Sequence, residues 1–162
     1  MPTIKLNTQI KADKKIVFDL SRSIDLHKIS TKHTNEEAIG GITSGLISLN
    51  ETVTWKAKHF GIYQVVTSKI TAYNEPIFFS DEMVSGIFKS FKHEHHFKNS
   101  TIGTEMIDVF NYTSPLGKLG ELIDFLFLKK YMTNLLEKRN QTIKEYAESE
   151  KWKEIIANRL DF

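Results

Sequence analysis

The stretch Phe91-Lys92-His93-Glu94-His95-His96-Phe97 places three histidines between two phenylalanines within seven residues. Side chains of a strand alternate between faces, so Phe91, His93, His95 and Phe97 share one side and Lys92, Glu94, His96 and Lys98 the other. Lysine and glutamate are expensive to bury unpaired, which assigns the Lys/Glu side to water and the Phe/His side to the interior. The following strand alternates in the same way, with Thr104, Met106, Asp108, Phe110 and Tyr112 on one face. A hairpin that sets Phe97 opposite Thr104 pairs His95 with Met106, His93 with Asp108 and Phe91 with Phe110. An inward histidine then has a carboxylate as cross-strand neighbour. Three kinds of chemistry fit: a satisfied polar pair in a pocket wall, recognition of a ligand head group by His93, His95 and Asp108, or an acid–base pair formed by His93 and Asp108. Two histidines and one aspartate also have the composition of a facial metal triad. His-x-His on a strand is common, however, and HEHH lacks the four-residue helical spacing of a zinc protease. No metal and no cofactor is therefore expected.

Other polar residues are weaker candidates. Asp81 shares a face with Phe79 and Met83 and reads as a strand-edge charge. Arg139 lies on the apolar stripe of a helix, where such side chains mostly reach out to the rim and less often hold a carboxylate such as Asp81 or Asp108. Trp55 alternates with Val53 and Ala57 and reads as core or pocket wall. His59 reads as a strand-end residue, and His27 and His33 have no evident partner. Leu119, Ile123, Leu126 and Phe127 fall off the helical stripe and suggest deep burial, a pocket mouth or a homodimer contact.

The elements that must position these groups follow from periodicity. Thr3 to Lys11 alternates as a strand. Asp13 and Ser23 then cap two short helices, and Gly40-Gly41 breaks the chain. Strands are expected at Leu46 to Leu49, Val53 to Gly61, Ile62 to Tyr73, Ile77 to Val84, Ile87 to Phe97 and Ile102 to Tyr112, close enough together to be antiparallel. Ser114-Pro115 reads as cap and first position of a long helix to about Ser149, whose stripe includes Phe125, Leu128, Met132, Leu135, Leu136, Ile143 and Tyr146. The expected fold class is α+β: one curved antiparallel sheet in β-α-α-β6-α order, gripping a long C-terminal helix. The space between sheet and helix is the candidate site. Residues 1–149 form the expected domain, and 150–162 a tail with a short helix around Trp152, Ile155, Ile156 and Leu160.

Bulk composition removes other classes. With no cysteine in 162 residues, disulfides, thiolate zinc sites and cysteine nucleophiles are excluded, and a cytoplasmic location is expected. Twenty-two basic residues against 20 acidic ones are scattered along the chain, which gives no nucleic-acid footprint. The most apolar segment, Leu122 to Leu128, contains Asp124 and is too short for a membrane span. Eleven phenylalanines suit a large apolar interior or a cavity wall.

The run F-x-D-E-M-x-x-G-x-F-x-x-F-x-H-x-H-x-F from Phe79 to Phe97 resembles the START-related helix-grip superfamily, also called SRPBCC or polyketide-cyclase-like. So do T-x-M-x-D-x-x-x-Y-x-x-P-x-G-x-L-G from Thr104 to Gly120 and W-x-A-x-H-F-G from Trp55 to Gly61. The branch is similar to a domain sometimes fused to NAD-dependent epimerase-like proteins labelled cell-division inhibitors. The resemblance implies a bacterial ligand-binding domain with a cavity for a lipid, polyketide, quinone or aromatic molecule. Trp55, Phe91, His93, His95, Phe97, Met106, Asp108, Phe110, Met132 and Leu136 are its expected lining. The alternatives are a cyclase- or dehydratase-like enzyme using His93 and Asp108, and an accessory module for an epimerase-like protein partner.

Overall fold

The computed structural model describes residues 2–115, 117, 122–123 and 127–156. Strand β1 spans Thr3–Ile10 and buries Ile4 and Ile10. Helices α1 (Lys14–Ser21) and α2 (Ile24–Ser30) follow, each starting at its expected cap: Asp13 accepts from the Lys15 amide at 2.8 Å and Ser23 from the Leu26 amide at 3.1 Å. A 3-10 turn at Lys32–Thr34 leads to β2 (Glu37–Gly41), β3 (Thr52–His59), β4 (Ile62–Asn74), β5 (Phe78–Ser85), β6 (Ser90–Ser100) and β7 (Gly103–Thr113). Helix α3 covers Lys129–Ala147 and α4 Trp152–Ile156. The seven strands form one antiparallel sheet in the order β1-β7-β6-β5-β4-β3-β2, and α3 packs against α1, α2 and β1. Helix α4 is not a loose appendage, because Ile156 joins Phe18, Phe79, Phe97 and Met106 in the main core. No helix among the described residues is long and apolar enough to cross a membrane.

Three local expectations are corrected. Leu46–Leu49 is not a strand. Its backbone is tied to the α1–α2 junction instead, through Ile24 N to Gly45 O (2.9 Å), Ile47 N to Arg22 O (3.2 Å) and Gly45 N to the Asp25 carboxylate (2.8 Å). The sixth strand after the helices is Glu37–Gly41, at the site of the expected Gly40-Gly41 break. There Gly41, at φ 69°, lies so close to Thr52 that a Cβ would stand 2.2 Å from its carbonyl oxygen, so glycine is what allows the edge strand to pair. Strand β6 begins at Ser90, three residues later than the expected Ile87.

The β6–β7 register also differs. Phe97 faces Met106, His95 faces Asp108 and His93 faces Phe110, a two-residue shift from the expected pairing of His93 with Asp108. The turn closes over Thr101-Ile102 because Gly103 must follow it. At φ 145° Gly103 abuts the end of β1, where a Cβ would meet Ile10 O at 2.5 Å and Ala12 N at 2.8 Å. A shift of two preserves the faces. His93, His95, Phe97, Met106, Asp108 and Phe110 are all buried, while Lys92 and Lys98 are exposed and Lys92 pairs with Glu94 at 2.9 Å. Of the helix expected from Ser114-Pro115, residues 116, 118–121 and 124–126, which include Leu119, Gly120, Phe125 and Leu126, lie outside those described, as does Leu160.

Candidate functional site

Asp108 is the centre of a buried polar cluster. Its Oδ1 accepts from His93 Nε2 at 3.0 Å and His95 Nδ1 at 2.9 Å, with Arg139 Nη1 at 3.5 Å, and its Oδ2 accepts from Asn140 Nδ2 at 2.7 Å. The register places His95 directly across from Asp108, and His93 reaches the same oxygen diagonally. Arg139 and Asn140 descend from α3, where Arg139 also donates to Ser21 O at 2.8 Å. Strand β5 supplies Asp81 beside His93, and the Asp81 Oδ1 accepts from His95 Nε2 at 3.0 Å. Stacking holds the rings in place: His95 lies on Phe79 at 4.1 Å and His93 on His95 at 3.8 Å, with the Phe110 edge 5.3 Å from His93.

Burial raises the Asp108 carboxyl, but hydrogen bonds from His93 and His95 and the Arg139 charge outweigh it, leaving the group well below the usual carboxylate range. The same contest lowers Asp81, with burial opposed chiefly by His95. Burial, aided by the neighbouring His95, lowers His93 to about 4 despite the pull of Asp108. Both His95 nitrogens face carboxylate oxygens, Nδ1 toward Asp108 and Nε2 toward Asp81, so the ring bridges the two acids, with the Arg139 charge beside Asp108.

A cavity of about 290 Å³ opens beside this cluster, between the sheet and α3. Trp55, Phe91, His93, Phe110, Met132 and Leu136 are on its wall. A smaller recess of about 120 Å³ continues past His93 toward His95, Asp81 and Arg139. Phe97 and Met106, expected in the lining, lie in the solid core behind it, at 1 % and 0 % exposure, and touch neither space. Asp108 is likewise off the cavity wall and acts on it through partners that do line the two spaces, His93, His95 and Arg139. Asp81 is not an edge charge and Arg139 does not reach the rim; both are drawn into the cluster by His95 and Asp108.

A second polar group, not foreseen as a unit, lines the same cavity. The His27 Nε2 meets Glu36 at 3.3 Å while its ring lies on Trp55 at 4.3 Å, and His59 Nδ1 hydrogen-bonds with the Tyr131 hydroxyl at 2.8 Å. Burial raises Glu36, yet His27 brings it net below its ordinary value.

Asp81, His93 and His95 each offer a ligand atom within 4.8 Å of the others, as a metal triad requires. Asp108 behind both rings has the position of an outer carboxylate. The neighbouring Arg139 argues against a cation here. A divalent ion would have to break the His95–Asp81 hydrogen bond and would add positive charge in a buried space beside that guanidinium. Added Zn²⁺ is expected to leave the melting temperature unchanged. A rise that disappears in Asp81→Ala would establish a metal centre.

No protein-family model and no curated protein matches the chain. Several solved structures do. TTHA0849 from Thermus thermophilus superposes with a TM-score of 0.74 at 17 % identity, over 90 % of this chain and 97 % of that one. The major latex-like protein 151 of Panax ginseng gives 0.67 at 16 % identity over 90 % and 97 %, and SA2116 of Staphylococcus aureus 0.67 at 12 % over 91 % and 96 %. Identities this low establish architecture alone. With its curved seven-stranded sheet closed over a long C-terminal helix, the chain has a helix-grip fold, as these structures do.

Proposed function

We propose that the chain binds a small hydrophobic ligand carrying at least one polar group, without transforming it. The observation that supports this most is the cavity: about 290 Å³ of space whose surface is mostly apolar, with Phe91, Phe110, Val66, Met132 and Leu136 on its wall beside polar groups such as His27, Glu36, His59, Asp81 and His93. Aromatic walls provide rigid apolar surface at little entropic cost. The helix-grip fold, whose resemblance implies a cavity for apolar molecules, adds to the reading. Lack of cysteine suits a reducing compartment, and we place the protein in the cytoplasm.

The enzymatic alternative rests on His93 and Asp108, which do hydrogen-bond. A histidine held at about 4 is a weak proton acceptor near neutral pH, well away from the matched value a general base needs. The binder is therefore preferred.

N-phenyl-1-naphthylamine, which fluoresces when transferred to an apolar site, is expected to titrate one site per chain. Leu136 is buried on α3 and lines the cavity, so Leu136→Trp fills the space. The variant should weaken binding at least about tenfold, the cost of roughly one lost apolar contact surface, while its circular dichroism stays native. Absence of any fluorescence change with the wild-type protein would overturn the proposal.

A further inference from the structure

The hydrogen-bond pattern around Asp108 determines which nitrogen of His93 is left to meet a ligand. Asp108 Oδ1 is an acceptor, so His93 Nε2, 3.0 Å away, must carry the proton. Burial and the neighbouring His95 keep a second proton off the ring near neutral pH. His93 Nδ1 is then an unprotonated acceptor. It makes no hydrogen bond among the described residues, on a side chain that lines the cavity. Asp81 also lines the cavity; its Oδ1 is taken by His95, and its Oδ2 makes no hydrogen bond among the described residues. Both groups accept and neither donates.

The cation of the same region has three of its five N–H donors engaged and its charge already faces Asp108. Arg139 Nη2 donates to Ser21 O at 2.8 Å, and Nη1 to Asn140 at 3.1 Å and Asp108 at 3.5 Å. A carboxylate entering here would meet two lone-pair surfaces and the Asp81 charge, and the guanidinium it could reach is already paired with Asp108.

We propose that this wall of the cavity selects a ligand with a neutral hydroxyl donor, an alcohol or a phenol, which donates to His93 Nδ1, and that it discriminates against carboxylates. The assignment rests on the cavity being a ligand site. Within that site Asp108 is a positioning residue: it holds the His93 tautomer and does not touch the ligand. Fatty acids and aromatic acids, which an apolar pocket with a buried arginine would otherwise suggest, are the disfavoured class.

Three probes of one shape test the proposal on the full-length protein at pH 7: 2-naphthol, naphthalene and 2-naphthoate, titrated by fluorescence or calorimetry. Naphthol is expected to bind about tenfold more tightly than naphthalene, the upper range for one added neutral hydrogen bond. Naphthoate should bind more weakly than naphthol by at least about the same factor. In protein carrying ¹⁵N-labelled histidine, naphthol should move the His93 Nδ1 resonance and naphthalene should not. His93→Phe should erase the preference for naphthol over naphthalene while naphthalene still binds. Should that variant fail to fold, the probe series and the nitrogen resonance of the wild-type protein decide the matter. Naphthoate binding more tightly than naphthol would overturn the proposal and make Arg139 an anion receptor. Equal binding of naphthol and naphthalene would overturn it while leaving the cavity as a ligand site. Binding of none of the three would remove both readings.

Discussion

Asp108→Ala is expected to lower the unfolding free energy by about 3–5 kcal/mol, the cost typical of removing one partner from a buried charged pair. Asp108 is 1 % exposed and is the shared acceptor for His93, His95, Arg139 and Asn140. Its loss leaves the Arg139 guanidinium buried with only neutral partners and strands two ring nitrogens, while the Asn140 amide keeps only Thr8. Single domains carry about 5–15 kcal/mol in all, so the variant should approach the limit of folding. Asp108→Asn keeps the volume and one acceptor oxygen and should fall between wild type and alanine. Urea unfolding of the three proteins measures the series. A second substitution separates charge from packing: Arg139→Met in the Asp108→Ala background removes the uncompensated cation and should recover part of the loss. A deficit below about 1 kcal/mol for Asp108→Ala would mean that water enters and solvates the cluster.

What the sequence allowed to be read, and what it did not, follows from how each feature is encoded. The inward face of β6 and β7 is written in alternation, and alternation survives a two-residue shift; the orientation of His93, His95 and Asp108 was therefore legible although their pairing was not. The pairing depends on Gly103, whose requirement comes from backbone contact with Ile10 and Ala12, far away along the chain. Local pattern carries no trace of that contact. Arg139 and Asp81 did carry a signal, each sharing a face with apolar neighbours, but a general expectation of exposure for charged residues masked it. Their burial is made tolerable by partners on other elements, His95 and Asp108. Phe97 and Met106 show the limit of face assignment: inward means core or cavity alike, and α1, with Phe18 edge-on to Phe97 at 5.3 Å, fills the space at that end of the sheet. Leu46–Leu49 has strand-like residues whose backbone groups are claimed by the α1–α2 junction, a tertiary effect that overrides local preference.

Stability should fall as the pH drops from 7 toward 4, and a single side chain should account for much of the slope. His93 titrates at about 4 in the folded chain, against an ordinary 6.5. Between those values the unfolded chain binds the proton and the folded chain refuses it, so acid favours unfolding there. A separation of roughly 2.5 units corresponds to about 3 kcal/mol, fully expressed once the pH reaches the folded value. Asp108 adds to the loss at lower pH. Its folded value lies well below the ordinary 3.8, so the stability it contributes is present above that value and disappears as the pH falls toward the folded one. Among the described residues, the titratable and charged groups around His93 belong to the same cluster: Asp108 from β7, Asp81 from β5, His95 from its own strand and Arg139 from α3. His59, lowered chiefly by burial, contributes with the same sign from the second polar group. His93→Gln isolates the first contribution, since Gln offers an amide donor to Asp108 and does not titrate. Its unfolding free energy, measured in urea at intervals from pH 7 to 4, should be flatter than wild type by close to one proton. The two profiles should run parallel again below the window, where carboxylates dominate both. Superimposable profiles from pH 7 to 4 would show that the folded protein admits a proton to His93 as readily as water does. The unprotonated His93 Nδ1, and the preference for hydroxyl ligands that depends on it, would then be lost together.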